Sequence, residues 1–411
     1  MKRERAPRPS RLIDVLMRVV VLPVLIRRYR VSATGDLQGL ASLRPPYVLV
    51  ANHVNFWDPF WINAFIRHPV QFVTSDNIFR GLLFRVAMRL FGAIPKTKLM
   101  SDSRTVRHVF EVLGRGGVVG IFPEGSRSYD GRSSPVIPAV ARLIRKARVP
   151  VISAAIKGGY LSRPRWARGV RRGEVRIEFA LLFSREDLHR MSDDEVSTAL
   201  GRTMSFDEMA WQKRQGVRFK GSRPAEYLER LLFVCPHCSS ISRLESRDDI
   251  LKCVHCAYAV RINQLGLFEP VRGPLHFNDP SEWNAWQLPV LEGMLSEPGR
   301  LREPFFVEHQ TRLLHGYRNL PLQALGTGSA VLMKDRIAFH VQGAELVHFL
   351  HSRIRGMNVQ NREKLEFYYD NGLYRLDFRN PRASPYAWTR TAEILSGPGS
   401  QTVNLMRARV L

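Results

Sequence analysis

Tyr47-Val48-Leu49-Val50-Ala51-Asn52-His53-Val54-Asn55-Phe56-Trp57-Asp58-Pro59 is the stretch around which the chain is organised. Its first five residues are an apolar run of the length and composition of a buried strand. At the strand's end stand an imidazole and a carboxylate five positions apart. A carboxylate that accepts the proton on one ring nitrogen fixes the histidine tautomer and leaves the other nitrogen to take a proton from a hydroxyl. The same residues also read as a helix start, with Asp58 as N-cap, Pro59 at the first helical position and His53 as an ordinary loop histidine. Both readings stay open on this stretch alone.

Outward from it, residues 46–183 alternate apolar runs with amphipathic ones. Strands are predicted at 46–51, 70–74, 117–122, 149–156 and 174–183, and helices at 59–66, 78–91, 103–115 and 136–147. In the third helix Ser103 is the expected cap. Val106, Val109, Phe110 and Leu113 form the expected inner face, and Gly116-Gly117 the stop. Alternation of this kind predicts an α/β domain with a largely parallel sheet, whose reactive groups gather at strand ends. Two more strand-end loops carry polar chemistry. Gly92-Ala93-Ile94-Pro95-Lys96-Thr97-Lys98 sets two lysines after a Gly/Pro break. Phe122-Pro123-Glu124-Gly125-Ser126-Arg127-Ser128 offers a glycine, hydroxyls and an arginine suited to gripping a phosphate.

Charge points the same way. The 411 residues carry a net charge of +25. Residues 1–230 hold 41 Lys+Arg against 20 Asp+Glu, and residues 231–411 hold 21 against 17. The basic half should seek anions: nucleic acid, an acidic membrane surface, or phosphorylated and coenzyme A-type substrates. Nucleic acid fits poorly, because no interleaved aromatic and basic motif is present. Residues 1–30 read as a basic arm, with Lys2, Arg3, Arg5, Arg8 and Arg11, followed by an apolar stretch from Leu12 to Ile26. That stretch is too short for a membrane span and is interrupted by Asp14 and Arg18. It reads either as a helix lying in the membrane interface with arginines on the headgroups, or as a helix packed on the protein's own core. A peripheral location on the cytoplasmic side of the cell membrane is the resulting expectation.

Together, in this order and spacing, the loops resemble the glycerolipid acyltransferase family, typified by 1-acylglycerol-3-phosphate acyltransferases. His53 and Asp58 match its H-x4-D block, Gly92–Lys98 its second, Phe122–Ser128 its third and Val149–Gly158 its fourth. The resemblance implies acyl transfer from an acyl-CoA or acyl carrier protein thioester to a hydroxyl of a lysophospholipid or glycerol phosphate. His53 would be the base and Asp58 its orienting acid. Lys98, Glu124, Gly125 and Arg127 would contact the phosphorylated acceptor, and no catalytic cofactor would be needed. Lys98 stands where the family usually has arginine. A lipid-binding scaffold without catalysis is the alternative.

The second half has a different grammar. Cys235-Pro236-His237-Cys238 and Cys253-Val254-His255-Cys256, 14 residues apart, predict a zinc ribbon over 231–265. All four thiolates would close a tetrahedral structural Zn2+ site. A linker with one helix, Ser281 to Leu295, fills 266–303. Residues 304–411 turn to strands, with a hairpin about Asn371-Gly372 and a helix near 386–395 anchored by Trp388. That order resembles a pleckstrin-homology or GRAM-like domain. The expected architecture is therefore an acyltransferase domain over 31–230, a zinc ribbon, and a mostly β C-terminal domain.

Overall fold

The computed structural model describes residues 5–97, 102–297, 304–317, 320–341 and 347–396. Lys2, Arg3 and Lys98 lie outside the described residues. The chain forms two compact units. One runs to Arg165 and resumes over Arg171–Lys220; the other takes Trp166–Val170 and the chain from Gly221.

The first unit is built on a seven-stranded sheet: β1 Val31–Gly35, β2 Tyr47–Ala51, β3 Val70–Ser75, β4 Ile94–Lys96, β5 Val118–Ile121, β6 Val151–Lys157 and β7 Val175–Phe183. The order is β1-β7-β6-β2-β5-β3-β4. Every neighbouring pair is parallel except β6 with β7. All five residues of β2 are buried, as a central strand covered on both faces requires. The five predicted strands are present. β1 and β4 add to them: β1 has a single large apolar residue, and β4 is a three-residue edge strand that tolerates Pro95.

Helices Ser103–Gly114, Pro138–Ala147 and Asp193–Met204 cover one face, where Val109, Val112, Ala141, Ile144, Val196 and Leu200 meet Val48, Val50 and Val119. Two details of the first of these helices differ from expectation. Its cap is Asp102, which accepts from the backbone N–H of Arg104 and Thr105, rather than Ser103. Its buried residues include Thr105, His108, Val109 and Val112, while Val106 and Phe110 are exposed. The pattern 105-108-109-112 is as helical as the apolar one, so periodicity alone does not choose between the two faces.

A helical segment runs from Arg11 to Tyr29, with a π-turn over Met17–Val21. Its C-terminal part packs on helix Asp58–Phe65, with Tyr29 edge-on to Trp61 at 5.0 Å. The helix expected at 78–91 is broken at extended Gly81, into a 3-10 turn Asp76–Arg80 and a helix Leu82–Leu90. No described helix is long and apolar enough to cross a membrane.

The second unit holds an antiparallel sheet of β8 Leu244–Arg247, β9 Ile250–Cys253, β10 Ala259–Ile262 and β11 Phe268–Arg272. Helix Pro280–Ser296 follows. A second antiparallel sheet comprises β12 Phe306–Gly316, β13 Gln323–Leu332, β14 Arg336–Val341, β15 Val347–Leu350, β16 Ile354–Gln360, β17 Lys364–Tyr369 and β18 Gly372–Asp377, in the order β15-β14-β13-β12-β18-β17-β16. The predicted hairpin is there, but Tyr369 pairs with Gly372. Its two loop residues are therefore Asp370 and Asn371, with Asp370 taking the positive φ of +53°. Helix Pro385–Leu395 closes the unit, with Trp388 buried 5.1 Å from Phe378.

Candidate active site

His53 lies just beyond the carboxyl end of β2, and Asp58 is the first residue of the helix after it. His53 Nδ1 and Asp58 Oδ2 are 2.8 Å apart. The same oxygen accepts from the backbone N–H of Val54 and of Asn55, each at 2.8 Å. Asp58 therefore does not cap its helix; Trp57 holds the cap position and the carboxylate turns back into the loop. Three donors converge on one oxygen of a fully buried side chain and hold it still. That oxygen is an acceptor, so Nδ1 carries the ring proton and Nε2 is the accepting nitrogen.

The imidazole stacks on Phe122 with centroids 4.0 Å apart, and Phe122 stacks in turn on Phe72 at 5.4 Å. Burial pushes the His53 pKa below the ordinary value of 6.5; Asp58 opposes this, and Arg127 and Arg165 reinforce it. The ring is neutral at physiological pH, with 20% of its side chain exposed, which is the state a general base needs.

Glu124, in the Phe122–Ser128 loop, has both oxygens engaged by backbone. Oε1 accepts from the N–H of His53 at 3.1 Å and Oε2 from that of Ser134 at 2.8 Å. Ser128 N–H donates to the His53 carbonyl at 2.8 Å. The two blocks are thus pinned together on both sides of His53. Burial raises the Glu124 pKa to about 8, with Asp58 adding to the rise. Gly125 sits at φ +69°, and a Cβ there would stand 2.8 Å from Ile137, so the turn requires glycine.

Two charged residues at the site escape sequence reasoning. Arg165 is buried, donates from Nη1 to the Arg127 carbonyl at 2.9 Å, and lies 3.9 Å over the Tyr129 ring. Its only sequence cue is its place in Arg163-Pro164-Arg165, shortly after β6. Glu208 is fully buried and accepts from Leu161 N–H at 3.2 Å. Burial lifts its pKa to about 8, and Asp58 again contributes. Asn55 donates to the Gly159 carbonyl and to Ser162 Oγ of the same short helix, at 3.0 and 3.2 Å. Glu208, the short helix Gly159–Ser162, Asn55 and Asp58 are therefore linked in one buried network. Lys96 is described where Lys98 is not; burial draws its pKa down, against Asp102 and Asp76. A cavity of about 390 Å3 lies apart from this cluster, between Arg18, Leu40, Phe65 and Arg67.

In the second unit the Sγ atoms of Cys235, Cys238, Cys253 and Cys256 lie within 4.8 Å of one another. Cys235 and Cys256, and likewise Cys238 and Cys253, are 3.8 Å apart. Disulfide sulfurs would be about 2.05 Å apart, whereas four sulfurs at about 2.3 Å from a tetrahedral zinc are separated by about 3.8 Å. The two knuckles match in detail. Ser239 N–H donates to the Cys235 carbonyl and Ala257 N–H to that of Cys253, both at 2.9 Å, and Ser239 and Ala257 both have positive φ. This donor set fits a metal ion.

Residues 33–157 match the family model described as Acyltransferase. The chloroplastic 1-acyl-sn-glycerol-3-phosphate acyltransferase of Brassica napus is 29% identical over 148 residues, 34% of this chain and 43% of that protein. Its Arabidopsis thaliana counterpart is 28% identical over 152 residues, 36% and 42% of the two chains. The chain thus spans less than half the length of these relatives. A crystal structure of the 1-acyl-sn-glycerophosphate acyltransferase of Thermotoga maritima aligns with a TM-score of 0.38 and 21% identity, over 46% of this chain and 83% of that one. The His53–Asp58 loop, the Phe122–Ser128 loop and β6 all fall within the segment matched by the acyltransferase family.

Proposed function

We propose that the first unit is an O-acyltransferase of phospholipid synthesis. It moves a fatty acyl group from an acyl-CoA or acyl carrier protein thioester to a free hydroxyl of a lysophospholipid or glycerol phosphate. The observation that carries this is the 2.8 Å contact between His53 and buried Asp58, set inside the segment that matches the acyltransferase family. Nε2 of His53 takes the acceptor's hydroxyl proton as the oxygen attacks the thioester carbonyl. The tetrahedral intermediate expels the thiolate, and the imidazolium returns the proton to that sulfur. Asp58 holds the tautomer and stabilises the imidazolium. The chemistry needs no metal or redox group.

The names of the two plant relatives support lysophosphatidic acid as the acceptor. Arg127 and Arg165 supply positive field beside His53, and we assign them, with Lys98, to the acceptor's phosphate. Glu124 is assigned a positioning role, because its carboxylate is occupied by backbone N–H groups. Gly125 shapes the turn that presents Arg127. The helix over Arg11–Tyr29 exposes Leu12, Val15, Val19 and Val20, which supports seating on an anionic membrane surface at its cytoplasmic side. The four cysteines are assigned to a closed structural zinc site, and the C-terminal sheet to an accessory domain.

A thioester-consumption assay on the purified full chain tests this. Acyl-CoA and acyl carrier protein donors are each offered with lysophosphatidic acid, other lysophospholipids and glycerol 3-phosphate. Thiol release that depends on a phosphate-bearing acceptor is expected. Absence of release across the whole panel would overturn the proposal.

A further inference from the structure

Helix Leu82–Leu90 has no buried residue. Leu82 is 72% exposed and Leu83 85%, and Phe84 and Val86 are also exposed. Nine residues are too few to hold a helix in water without packing, and an apolar face this concentrated marks a contact with something else. Charge identifies what. Between Asp76 and Asp102 the chain has no acidic residue and carries Arg80, Arg85, Arg89, Lys96 and Lys98. A second copy of the same segment would meet like charges, whereas an anionic lipid surface offers apolar depth and complementary headgroups.

The helix is also wired to its surroundings at one end. Ser10 N–H donates to the Leu90 carbonyl at 2.8 Å, which ties it to the start of the exposed apolar helix at Arg11. Beyond Leu90, aromatic rings run in sequence: Phe91 to Phe60 at 5.9 Å, Phe60 to Trp57 at 5.5 Å, and Trp57 to Phe56 at 5.1 Å. Phe56 is exposed and lies between His53 and Asp58.

We propose that Leu82–Leu90 is a second membrane-insertion element, which seats in an anionic lipid surface and brings that surface to the His53–Asp58 loop along the Phe91–Phe60–Trp57–Phe56 run. Lipid insertion stands on its own observations; delivery of a bilayer-borne acceptor to His53 rests on the acyl-transfer reading.

The test is flotation of the full chain with vesicles of phosphatidylglycerol and phosphatidylcholine, comparing wild type with the double variant Leu82→Ser, Leu83→Ser. Both side chains are exposed, so folding is retained, as thermal unfolding and gel filtration will verify. The variant's partition coefficient is expected to fall at least about tenfold. Its turnover should be unchanged on a short-chain, water-soluble acceptor and reduced on a vesicle-borne one. Vesicle binding within twofold of wild type would overturn the proposal. So would a wild-type dimer that the variant dissociates while vesicle binding persists. Failure of the acyl-transfer reading has a separate signature: wild type turns over neither acceptor, while flotation still reports insertion.

Discussion

Replacing Asp58 by asparagine removes one charge from the site while keeping its shape. Asp58 Oδ2 accepts three N–H groups at 2.8 Å, from the His53 ring and from Val54 and Asn55, while Oδ1 has no hydrogen-bond partner among the described residues. An asparagine oxygen placed at Oδ2 keeps all three bonds, with its NH2 group at the Oδ1 position. The loss is one of charge: a neutral acceptor gives hydrogen bonds roughly half as strong, and the imidazolium formed during proton transfer loses its counter-charge. The expected consequence is a fall in kcat on the order of 10²- to 10⁴-fold. The pH dependence gives a second readout. In the proposed mechanism transfer needs neutral His53, so the rate is expected to fall as pH drops through the ring's pKa. That pKa already lies below 6.5 through burial, and Asp58 is the group that raises it. In Asp58→Asn the acid limb therefore moves to lower pH. Thiol release from an acyl-CoA, measured at saturating acceptor across a pH series, reads both effects. A kcat within about threefold of wild type, or an acid limb that moves upward, would refute the role given to Asp58.

Other outcomes rest on the same geometry. Glu124 and Glu208 both have folded-state pKa values raised to about 8 from 4.5; their stabilising contribution is present below pH 4.5 and is lost as pH rises toward 8. Thermal unfolding should show stability declining over that window, with a shallower decline in Glu208→Gln. Glu124→Ala leaves the N–H groups of His53 and Ser134 without their acceptor, at about 1–3 kcal/mol each, while Glu124→Gln should be far milder in chemical denaturation. Gly125→Ala forces a Cβ at φ +69° to within 2.8 Å of Ile137 and should cost about 1–3 kcal/mol, measured the same way. Metal analysis of the purified chain should find one zinc per chain, and a strong chelator should lower the melting temperature of the second unit.

Much of this was legible in the sequence, for physical reasons. The apolar run at Tyr47–Ala51 has the length and composition of a buried strand, and side chains converge just beyond the carboxyl end of a parallel strand. The cysteine pairs declared their geometry through spacing alone. Other features depend on tertiary context. The inner face of helix Ser103–Gly114 includes Thr105 and His108 while Phe110 points outward; packing against the sheet chooses between two faces that periodicity leaves equivalent. Glu124 reads as a ligand for substrate when its loop is viewed alone; that its carboxylate also accepts the backbone N–H of His53 emerges only once β5 is set beside β2. Arg165 and Glu208 lie 112 and 155 residues beyond His53, in stretches with no pattern that marks them, and only folding brings Arg165 into the field of His53 and Glu208 into that of Asp58. The exposure of Leu82–Leu90 was hidden for the opposite reason: an amphipathic helix looks the same whether its apolar face meets a core or a membrane.

The role of His53 as the base of an acyl transfer is tested most directly by the rate at which purified His53→Ala forms diacyl product from an acyl-CoA and lysophosphatidic acid, beside wild type and with matched melting temperatures. Product from wild type and none above background from the variant is the predicted result. A variant that turns over at the wild-type rate would contradict that role.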